Sequence, residues 1–509
     1  MTTRPCARAY EIPYQSDSCT YFERIRHLGC PILLDSNAQA TAGRFDILSA
    51  APAKLISSLA LAKSLPFEQQ TIDLAALEPN SNNSDLITSL FAPVSAAIKQ
   101  LTTETQPFRD LPFISGAIGV FSYDLGMRLN NINTKQPSSE STQSPKQQNH
   151  QARWPELYIG IYQWALIQDH QRKKAWMLAD PKQAQSTSDL LLALLTDSTG
   201  EANSGSQTAS SDPAFQLRNN WQANTSAEQY KTLFDKTMDY IRGGDCYQIN
   251  LAQQMRTQYS GDPWQAYKTL RKTAPTPYAA YIELANNGSS ALASLSPERF
   301  IQVQGLEVTT QPIKGTRKRG SNKQEDVKLM AELSGSAKDR AENLMIVDLM
   351  RNDLGKCCDI GSIKVPALFQ IETHPNVHHL VSTISGSLPI AGVDSSLELL
   401  TSCLPGGSVT GAPKKRAMEI IDELEDFQRS IYCGSIAYIS NNGDMDSNIL
   451  IRSVLFSANK QNQQEQKAQG GDVYCWGGGG IVADSDAESE YEESLQKIRN
   501  ILDALADLA

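Results

Sequence analysis

The sequence predicts an α+β protein whose layers include large, mostly antiparallel β-sheets. Two observations indicate this fold class. Short runs typical of strands recur along the whole chain, and several neighbouring runs are close enough to form hairpins. Helical stretches are interspersed between them. A chain of 509 residues, 40% hydrophobic and 20% charged, suits roughly two to four folding units of this kind.

The amino-acid composition limits the kinds of binding partner and the cellular compartment that we expect. The net charge of −10 and the pI near 5.3 argue against nucleic acid or an anionic membrane surface as the main partner. No run of about 18 apolar residues is present, and the start of the sequence lacks an apolar segment, so we expect neither a membrane-spanning helix nor a signal peptide. The nine scattered cysteines predict reduced, structural thiols in a cytoplasmic protein.

A polar stretch at 196–213 is the predicted boundary between an N-terminal domain, residues 1–213, and a second domain, residues 214–509. Similar stretches at 130–152 and 460–471 are predicted to be insertions. β-Branched, aromatic and alternating runs predict the strands of the N-terminal domain, which are 32–36, 44–50, 111–124, 158–169 and 175–180, and a helix follows at 188–196.

The second domain mixes both kinds of element. Its predicted helices are 226–243, with Ser226 as a possible N-cap, 262–273, 326–352, 414–424 and 485–508. Its predicted strands are 247–255, 299–303, 306–310, 377–382, 435–440, 447–455 and 473–476.

Lys314 lies just after the predicted hairpin of 299–303 and 306–310, in the sequence Gln-Pro-Ile-Lys-Gly-Thr. A lysine at a strand end is usually a solvated charge. Its neighbours Pro312 and Ile313 are apolar, however, and a desolvated lysine has a lowered pKa that makes its amine a nucleophile. Lys314 is therefore a candidate catalytic residue.

Two pairs of carboxylates share the same spacing. Asp339 and Glu342 are three residues apart in one predicted helix, as are Glu490 and Glu493 in another, so each pair lies on one helix face. Two such helices facing a common point would suit one Mg²⁺ ion, partly through water. The alternative is that all four side chains lie on solvated helix faces.

Two glycine-rich segments are candidates for binding an anion. Residues 405–414, Pro-Gly-Gly-Ser-Val-Thr-Gly-Ala-Pro-Lys, lead into a helix, and residues 476–482 contain four consecutive glycines. Exposed backbone N–H groups at such turns bind anions, and glycine permits close approach of a ligand. Neither segment matches a Walker A loop. The alternative for both is a tight turn.

Three further side chains are candidates for the same site. Arg452, in a run resembling a strand, is suited to bidentate binding of a carboxylate, and Lys497, one turn beyond Glu493, would add positive charge. His379 lies in an apolar strand, where it is either a hydrogen-bonded core residue or a proton carrier near neutral pH.

Together these motifs resemble the chorismate-utilising enzymes over nearly the whole chain, and within that family the aminodeoxychorismate synthases. The matching stretches are 244–251, Ser296-Pro-Glu-Arg-Phe, Pro312-Ile-Lys-Gly-Thr-Arg, 338–349, Arg351-Asn-Asp-Leu-Gly, Val377-His-His-Leu-Val-Ser, 405–414, Tyr432-Cys-Gly, Ile451-Arg and 478–485. The first 200 residues resemble the N-terminal domain of the family through Leu33-Leu-Asp-Ser and Arg44-Phe-Asp.

The resemblance implies two large sheets packed as a sandwich, with helices outside and the active site between the sheets. It also implies that Mg²⁺ holds the ring carboxylate of chorismate. By match, Glu342 and Glu493 are the inner metal ligands, assisted by Asp339 and Glu490. The residues implied to grip the substrate are Arg452, Lys497, Tyr432, Thr410, Gly411, Gly479 and Gln248.

The resemblance also separates members of the family. Lys314 stands where anthranilate synthases are expected to carry alanine, and it is implied to attack ring C2 as the C4 hydroxyl leaves. Gln248 stands where isochorismate and salicylate synthases carry a lysine that activates water. Glu298 is implied to be the general acid for the departing hydroxyl, with His379 as a nearby proton-handling or positioning residue.

No glutaminase motif is present, so the resemblance implies a separate glutamine amidotransferase subunit that supplies ammonia. Ser36, Arg44 and Phe45 match the region where related synthases bind tryptophan, which is either a structural or a vestigial site here. Two alternatives remain open from the sequence: an anthranilate synthase component I, and a non-catalytic regulator that binds tryptophan.

Overall fold

The computed structural model describes residues 7–37, 43–59, 66–74, 83–101, 108, 110–132, 152, 154–196, 214–284, 290–458 and 470–508. These residues form two large sheets, of 13 and 11 strands, and eleven α-helices. All strand pairs but one, which joins residues 54–57 to 68–71, are antiparallel. The predicted fold class, α+β with large antiparallel sheets, is confirmed.

The larger sheet runs in the order β1-β9-β8-β3-β2-β13-β14-β23-β24-β12-β10, and β11 and β20 also pair with β12. Its strands are β1 (Arg8–Ile12), β2 (Ile32–Asp35), β3 (Phe45–Ser49), β8 (Trp164–Asp169), β9 (Lys174–Ala179), β10 (Gln216–Leu217), β11 (Gln222–Ala223), β12 (Gln248–Ser260), β13 (Tyr278–Glu283), β14 (Ala291–Ser296), β20 (Gly411–Ala412), β23 (Ser453–Ala458) and β24 (Gly470–Ile481).

The smaller sheet runs in the order β17-β19-β16-β15-β22-β21-β6-β7-β4-β5, and β18 pairs with β19. Its strands are β4 (Lys54–Ser57), β5 (Glu68–Thr71), β6 (Gly116–Phe121), β7 (Leu157–Tyr162), β15 (Arg299–Gln304), β16 (Glu307–Thr310), β17 (Ile313–Lys318), β18 (Lys364–Thr373), β19 (Val377–Ser387), β21 (Ser435–Ser440) and β22 (Met445–Asn448).

The helices connect and cover these sheets. They are α1 (Cys19–Ile25), α2 (Asn83–Gln100), α3 (Tyr123–Leu129), α4 (Gln185–Thr196), α5 (Ala227–Arg242), α6 (Pro263–Thr273), α7 (Lys323–Gly335), α8 (Ala337–Leu354), α9 (Val393–Cys403), α10 (Lys414–Leu424) and α11 (Ala487–Ala506). Ser226 caps α5, as the sequence predicts, in a capping box with Gln229. Within the described part of the chain, no helix is long and apolar enough to cross a membrane.

Alternation along the strands places the core between the two sheets. In β2, Ile32 belongs to a buried cluster that also contains Ile118 and Val303 of the smaller sheet. The next residue, Leu33, belongs to a second cluster that contains Phe22 of α1 and Trp264 of α6. Because successive side chains of a strand point to opposite faces, one face of the larger sheet packs against the other sheet and one against helices.

Both sheets take strands from both sides of residue 213. In the larger sheet, Ile282 of β13 pairs with Ile32 of β2, and in the smaller sheet, Ile436 of β21 pairs with Val120 of β6. The boundary at 213 stays a prediction about the chain, since residues 197–213 lie outside the described residues.

Several predicted elements differ from those observed. The single helix predicted at 326–352 is two helices, because Ser336 is extended and its side chain accepts a hydrogen bond from the N–H of Asp339, which caps α8. The strand predicted at 447–455 is interrupted between β22 and β23, where Arg452 has a φ of 51°. The glycine-rich loop predicted after Trp476 is instead part of β24, which pairs with β12 along its whole length.

Candidate active site

Lys314 lies in β17 rather than beyond a strand end. Ile313 pairs with Val381 and Thr316 with His379, so the register shifts between them and Lys314 lies at this irregularity. The half-buried amine donates a hydrogen bond to the carbonyl oxygen of Ser408 at 2.9 Å.

Two electrostatic effects act on the Lys314 amine. Burial lowers the pKa of this amine below its usual value, and the carboxylates of Glu342 and Glu298 oppose that shift only in part. The uncharged amine, which is the nucleophilic form, is therefore reached at lower pH than in an exposed lysine.

Glu298 lies between β14 and β15 and is 5% exposed. Its Oε1 accepts a hydrogen bond from the hydroxyl of Ser408 at 2.8 Å. Burial raises the pKa of the Glu298 carboxyl above its usual value, while the Ser408 hydroxyl and the charge of Lys314 counteract this shift. Such a carboxyl retains its proton to higher pH than an exposed glutamate does, as a proton donor requires.

Arg452 projects from the irregular segment between β22 and β23, where its own carbonyl accepts from the N–H of Leu295 at 3.0 Å. Burial lowers the pKa of its guanidinium, and the negative charge of Glu298 opposes this shift. Among the described residues, no carboxylate lies within ion-pair distance of this guanidinium. A desolvated arginine without an ion-pair partner suits binding of a substrate carboxylate.

The four predicted metal ligands lie on two neighbouring helices, α8 and α11. Three of them form an ion pair with a lysine or arginine side chain. Asp339 pairs with Arg317 at 3.0 Å, Glu490 with Lys338 at 3.4 Å and Glu493 with Lys497 at 2.9 Å. Burial raises the pKa of Glu342, and the positive charges of Lys314 and Lys338 oppose this.

The carboxylates do not form a closed metal cage. Within the ranges that the structure describes, no group of three or more His, Cys, Asp or Glu side chains is placed to hold a metal ion. Their chemistry nevertheless fits Mg²⁺, which prefers carboxylate oxygens and retains several waters. Tyr230 supports the fit: its hydroxyl is buried with no hydrogen-bond partner among the described residues, and the charges of Glu490 and Glu493 act on it.

Tyr432, Gln248, Gly478 and Gly480 line one region of the site. A Cβ atom on Gly478 would lie 2.8 Å from the Tyr432 hydroxyl, and one on Gly480 would lie 2.6 Å from Nε2 of Gln248. Gln248 is fully buried, and neither polar atom of its amide has a hydrogen-bond partner among the residues described. Buried amides are normally hydrogen-bonded, so a ligand is expected here.

Gly479 faces the opposite side of β24. A Cβ atom there would lie 3.1 Å from Oε2 of Glu490 and 3.7 Å from Nζ of Lys497. Lys497 donates to the carbonyl of Gly478 at 3.0 Å. The alternating directions of a strand therefore place neighbouring glycines next to two different sets of site residues.

Thr410 and Gly411 support the site from within the glycine-rich loop. The Thr410 hydroxyl donates to the carbonyl of Gly406 at 3.1 Å, and a Cβ atom on Gly411 would lie 2.2 Å from the carbonyl oxygen of Gln248. The structure gives both residues a role in loop packing, and their contact with substrate stays a prediction.

His379 is 3% exposed in β19. Its Nδ1 lies 2.9 Å from the hydroxyl oxygen of Thr316, and its ring lies 5.2 Å from that of His374. Burial lowers the pKa of His379 to about 3, and the positive charge of Arg452 acts in the same direction. The imidazole is thus neutral at physiological pH and serves as a hydrogen-bonding group.

The predicted tryptophan region lines a separate cavity of about 500 Å³, formed by strands β2, β3 and β13 of the larger sheet and β15, β21 and β22 of the smaller one. Ser36, Arg44 and Phe45 line it, together with Arg299 and Asp446. The Arg44 guanidinium lies over the Phe45 ring at 4.3 Å and pairs with Asp169 at 2.9 Å.

The family model of the chorismate binding enzymes matches residues 63–503. This chain belongs to the chorismate binding enzyme family. Aminodeoxychorismate synthase component 1 of Escherichia coli (strain K12) is 41% identical over 486 residues, which cover 95% of each chain. That of Klebsiella aerogenes is 39% identical over 497 residues, which cover 97% of this chain and 98% of the relative.

A solved structure agrees with this membership. Anthranilate synthase component I from Streptococcus pneumoniae TIGR4 is 26% identical and matches with a TM-score of 0.69, covering 91% of this chain and 92% of that one. The chorismate binding enzyme described here thus shares its sandwich of sheets with that protein. The chain is a chorismate-utilising enzyme.

Two residues of the site were not predicted. Ser408 contacts both Lys314 and Glu298, and Lys338 neighbours the carboxylates. Both lie inside the motifs that resemble the chorismate-utilising family, so the sequence indicates the segments that contain them. The sequence does not indicate their contacts, because Ser408 is 94 residues from Lys314 and 110 residues from Glu298.

Proposed function

We propose that this enzyme is the chorismate-aminating component of an aminodeoxychorismate synthase. It is a transferase that converts chorismate and ammonia to 4-amino-4-deoxychorismate, for 4-aminobenzoate and folate biosynthesis. The observation that carries the proposal is that the Lys314 amine and the Glu298 carboxyl contact one shared residue, Ser408, at 2.9 and 2.8 Å. Relatives that carry this name at 39% and 41% identity support it.

Lys314 and Glu298 divide the reaction into two substitutions. The neutral Lys314 amine forms a bond to ring C2, the ring double bonds shift, and the C4–O bond breaks. Glu298 donates its proton to the departing hydroxyl, which leaves as water. Ammonia then adds at C4, the double bonds shift back, and the bond between C2 and Lys314 breaks. Burial favours the uncharged form of both side chains, as these roles require.

The other residues of the site fit a small dianion. Arg452, which has no ion-pair partner among the described residues, and Lys497 would bind its carboxylates. The amide of Gln248 would bind a polar group of the substrate, and the hydroxyl of Tyr432 lies beside the same strand. Gln248 is uncharged and cannot act as the base that activates water, which favours amination over hydration.

Glu342 and Glu493, with Glu490 and Asp339 assisting, would hold Mg²⁺, which supplies positive charge beside a substrate carboxylate and favours departure of the hydroxyl. In the structure, Lys338 forms an ion pair with Glu490, and Lys497 forms one with Glu493. His379, held by Thr316, would donate or accept a hydrogen bond as a neutral imidazole.

The product decides the function. The purified chain is incubated with chorismate, ammonium and Mg²⁺, and the product is identified by mass spectrometry. We expect 4-amino-4-deoxychorismate without pyruvate. Release of anthranilate and pyruvate would instead identify an anthranilate synthase. Tryptophan binding without turnover would identify a regulator.

The role of Lys314 has its own test. Lys314→Met should abolish both turnover and a covalent adduct in the intact-protein mass spectrum, because no amine remains to bond to C2. Lys318→Ala, at an exposed position of the same strand, is the matched control and should retain both. An adduct that persists in Lys314→Met would show that Lys314 is not the nucleophile.

A separate glutamine amidotransferase subunit is the proposed source of ammonia. The relatives are named as component 1 of their synthases, which supports a second component. Glutamine should support turnover only when that subunit is added, whereas ammonium should support it alone.

Eight cysteines of the described residues are free, consistent with the cytoplasmic location that we propose for this reaction.

Tryptophan is the proposed occupant of the separate cavity. Its volume of about 500 Å³ suits a small ligand, Ser36 offers a polar contact, and Arg44 over Phe45 offers a cation and an aromatic face. Calorimetry with tryptophan should give saturable binding that Ser36→Phe abolishes. Unchanged binding in that variant would place tryptophan elsewhere.

A further inference from the structure

Ser408 lies in a short 3₁₀ turn, Gly407–Val409, within the loop that joins α9 to α10. It is 4% exposed, so both its backbone carbonyl and its hydroxyl are withdrawn from bulk water. A polar residue buried to this extent is expected to use each of its polar groups in a hydrogen bond. Here both groups are used on candidate catalytic side chains.

The two hydrogen bonds have opposite directions. The Ser408 carbonyl accepts from the Lys314 amine at 2.9 Å, and the Ser408 hydroxyl donates to Oε1 of Glu298 at 2.8 Å. A carbonyl can only accept, so it holds an N–H of Lys314 and leaves the nitrogen lone pair free to point elsewhere. The hydroxyl holds Oε1 of Glu298, and the backbone of Ile313, the neighbour of Lys314, also hydrogen-bonds this carboxyl.

The turn around Ser408 is held from several sides. Arg429, 2% exposed, donates to the carbonyl of Val409 at 3.2 Å. The N–H of Asn250 donates to the carbonyl of Thr410 at 2.8 Å. A Cβ atom on Gly407 would lie 2.6 Å from Leu349 of α8, so the turn also packs tightly against that helix. Ser408 therefore has little freedom to move away from its two partners.

We propose that Ser408 is a positioning residue that orients both the nucleophile and the proton donor of the amination reaction. This inference rests on the proposed function of Lys314 and Glu298. A single residue fixes the distance between the amine that bonds to C2 and the acid that protonates the hydroxyl at C4. The first substitution needs both groups at once, so a shared anchor keeps them aligned.

The variants Ser408→Ala and Ser408→Thr separate the two hydrogen bonds. Alanine retains the carbonyl that holds Lys314 but removes the hydroxyl that holds Glu298, and threonine restores a hydroxyl. Ser396→Ala is the matched control. Ser396 lies in α9, away from the reacting groups, and it is also buried. Its hydroxyl donates a hydrogen bond to the carbonyl of Gly443.

The measured quantity is the pH profile of kcat/KM. The Ser408 hydroxyl stabilises the charged form of Glu298, so its loss should move the limb that reports Glu298 to higher pH by about one unit. The other limb, which reports Lys314, should stay in place. We expect kcat to fall about tenfold at neutral pH, because Glu298 is no longer oriented. Ser408→Thr should recover both properties.

Three outcomes would overturn the proposal. If neither limb moves in Ser408→Ala, the hydroxyl does not act on Glu298. Equal loss of activity in Ser396→Ala, or a parallel loss of thermal stability in Ser408→Ala that threonine does not restore, would show a purely structural role. The wild-type product tests the proposed function separately, since the limbs are measurable for whichever amination product forms.

Discussion

At the residue scale, the site contains side chains whose surroundings favour the uncharged form. Burial lowers the pKa of Lys314 and of His379 and raises that of Glu298. Each of these pKa shifts lowers the free energy of unfolding over some range of pH, because the same group has its ordinary pKa in the unfolded chain. Perturbed groups of this kind are concentrated at functional sites.

His379 gives a prediction for stability against pH. Its pKa is about 3 in the folded chain and 6.5 when exposed, so below pH 6.5 the unfolded chain binds a proton that the folded chain does not. The free energy of unfolding should therefore fall as pH falls from 6.5 toward 3. Between pH 7 and 5 this contributes roughly 2 kcal/mol.

Urea denaturation at pH 7 and pH 5 measures this contribution. His379→Gln retains a hydrogen-bonding group beside Thr316 but does not titrate, so it should lose about 2 kcal/mol less than the wild type over this interval. Equal losses in the two proteins would mean that His379 has no lowered pKa in the folded chain.

Lys338 gives a prediction for metal binding. It lies 3.4 Å from Glu490, and its side chain is 51% exposed, so the pair is screened by solvent. Since Mg²⁺ must compete with this ammonium group, Lys338→Gln should raise Mg²⁺ affinity by up to about fivefold in calorimetry. Lys328→Gln, whose partner Glu332 is on the exposed face of α7, should leave the affinity unchanged. A weaker affinity in Lys338→Gln would contradict the competition.

The sequence predicts much of this site at the residue scale. Lys314, Glu298 and Arg452 were found from short local motifs, and the structure places their charges within reach of one another. Ser408 shows the limit of such reasoning. Its partners come from two other elements, and only the packing of the loop against β17 and the segment before β15 brings them together.

At the element scale, Gly477 and Gly479 lie on the same face of β24, toward α11, but they meet different parts of that helix. A Cβ atom on Gly477 would lie 2.3 Å from the carbonyl oxygen of Ser494, in the backbone of α11. One on Gly479 meets only the ends of the Glu490 and Lys497 side chains. The same substitution should therefore have different effects at the two positions.

Gly477→Ala should lower the free energy of unfolding by about 1–3 kcal/mol, because α11 has to move away from the sheet. Gly479→Ala should keep near wild-type thermal stability but weaken Mg²⁺ binding in calorimetry, because Glu490 is displaced. Equal melting temperatures for the two variants, or unchanged Mg²⁺ binding in Gly479→Ala, would contradict this difference between backbone and side-chain contacts.

This strand also shows why some elements were not predictable. Four consecutive glycines are typical of a loop, since glycine lowers strand propensity. The pairing of β24 with β12 overrides that preference, because a continuous ladder of hydrogen bonds runs from Ile249–Ile481 to Ser260–Gly470. Such a pairing between distant segments leaves no local signal in the glycine run itself.

At the scale of the whole molecule, the two sheets join the segments before and after residue 213. β2 lies between β3 and β13, and β6 lies between β21 and β7. The largest buried cluster contains side chains of both segments, among them Ile118 and Val303. The core is therefore shared along the chain rather than divided at the predicted boundary.

This topology predicts that residues 214–509 do not fold alone. Without the N-terminal segment, β13 and β21 each lose a neighbouring strand and the inner face of each sheet is exposed. The fragment should show no cooperative thermal unfolding by circular dichroism, and co-expression with residues 1–213 should restore it. A cooperative transition in the fragment alone would show an independent domain.

The order of strands has a consequence for synthesis of the protein. β24 lies between β23 and β12 in the larger sheet, yet its residues leave the ribosome more than 200 residues after those of β12. The nascent chain must therefore hold β12 without its principal neighbour while β24 is still being made. Exposed strand edges favour aggregation, so we expect the incomplete chain to depend on chaperones until β24 emerges.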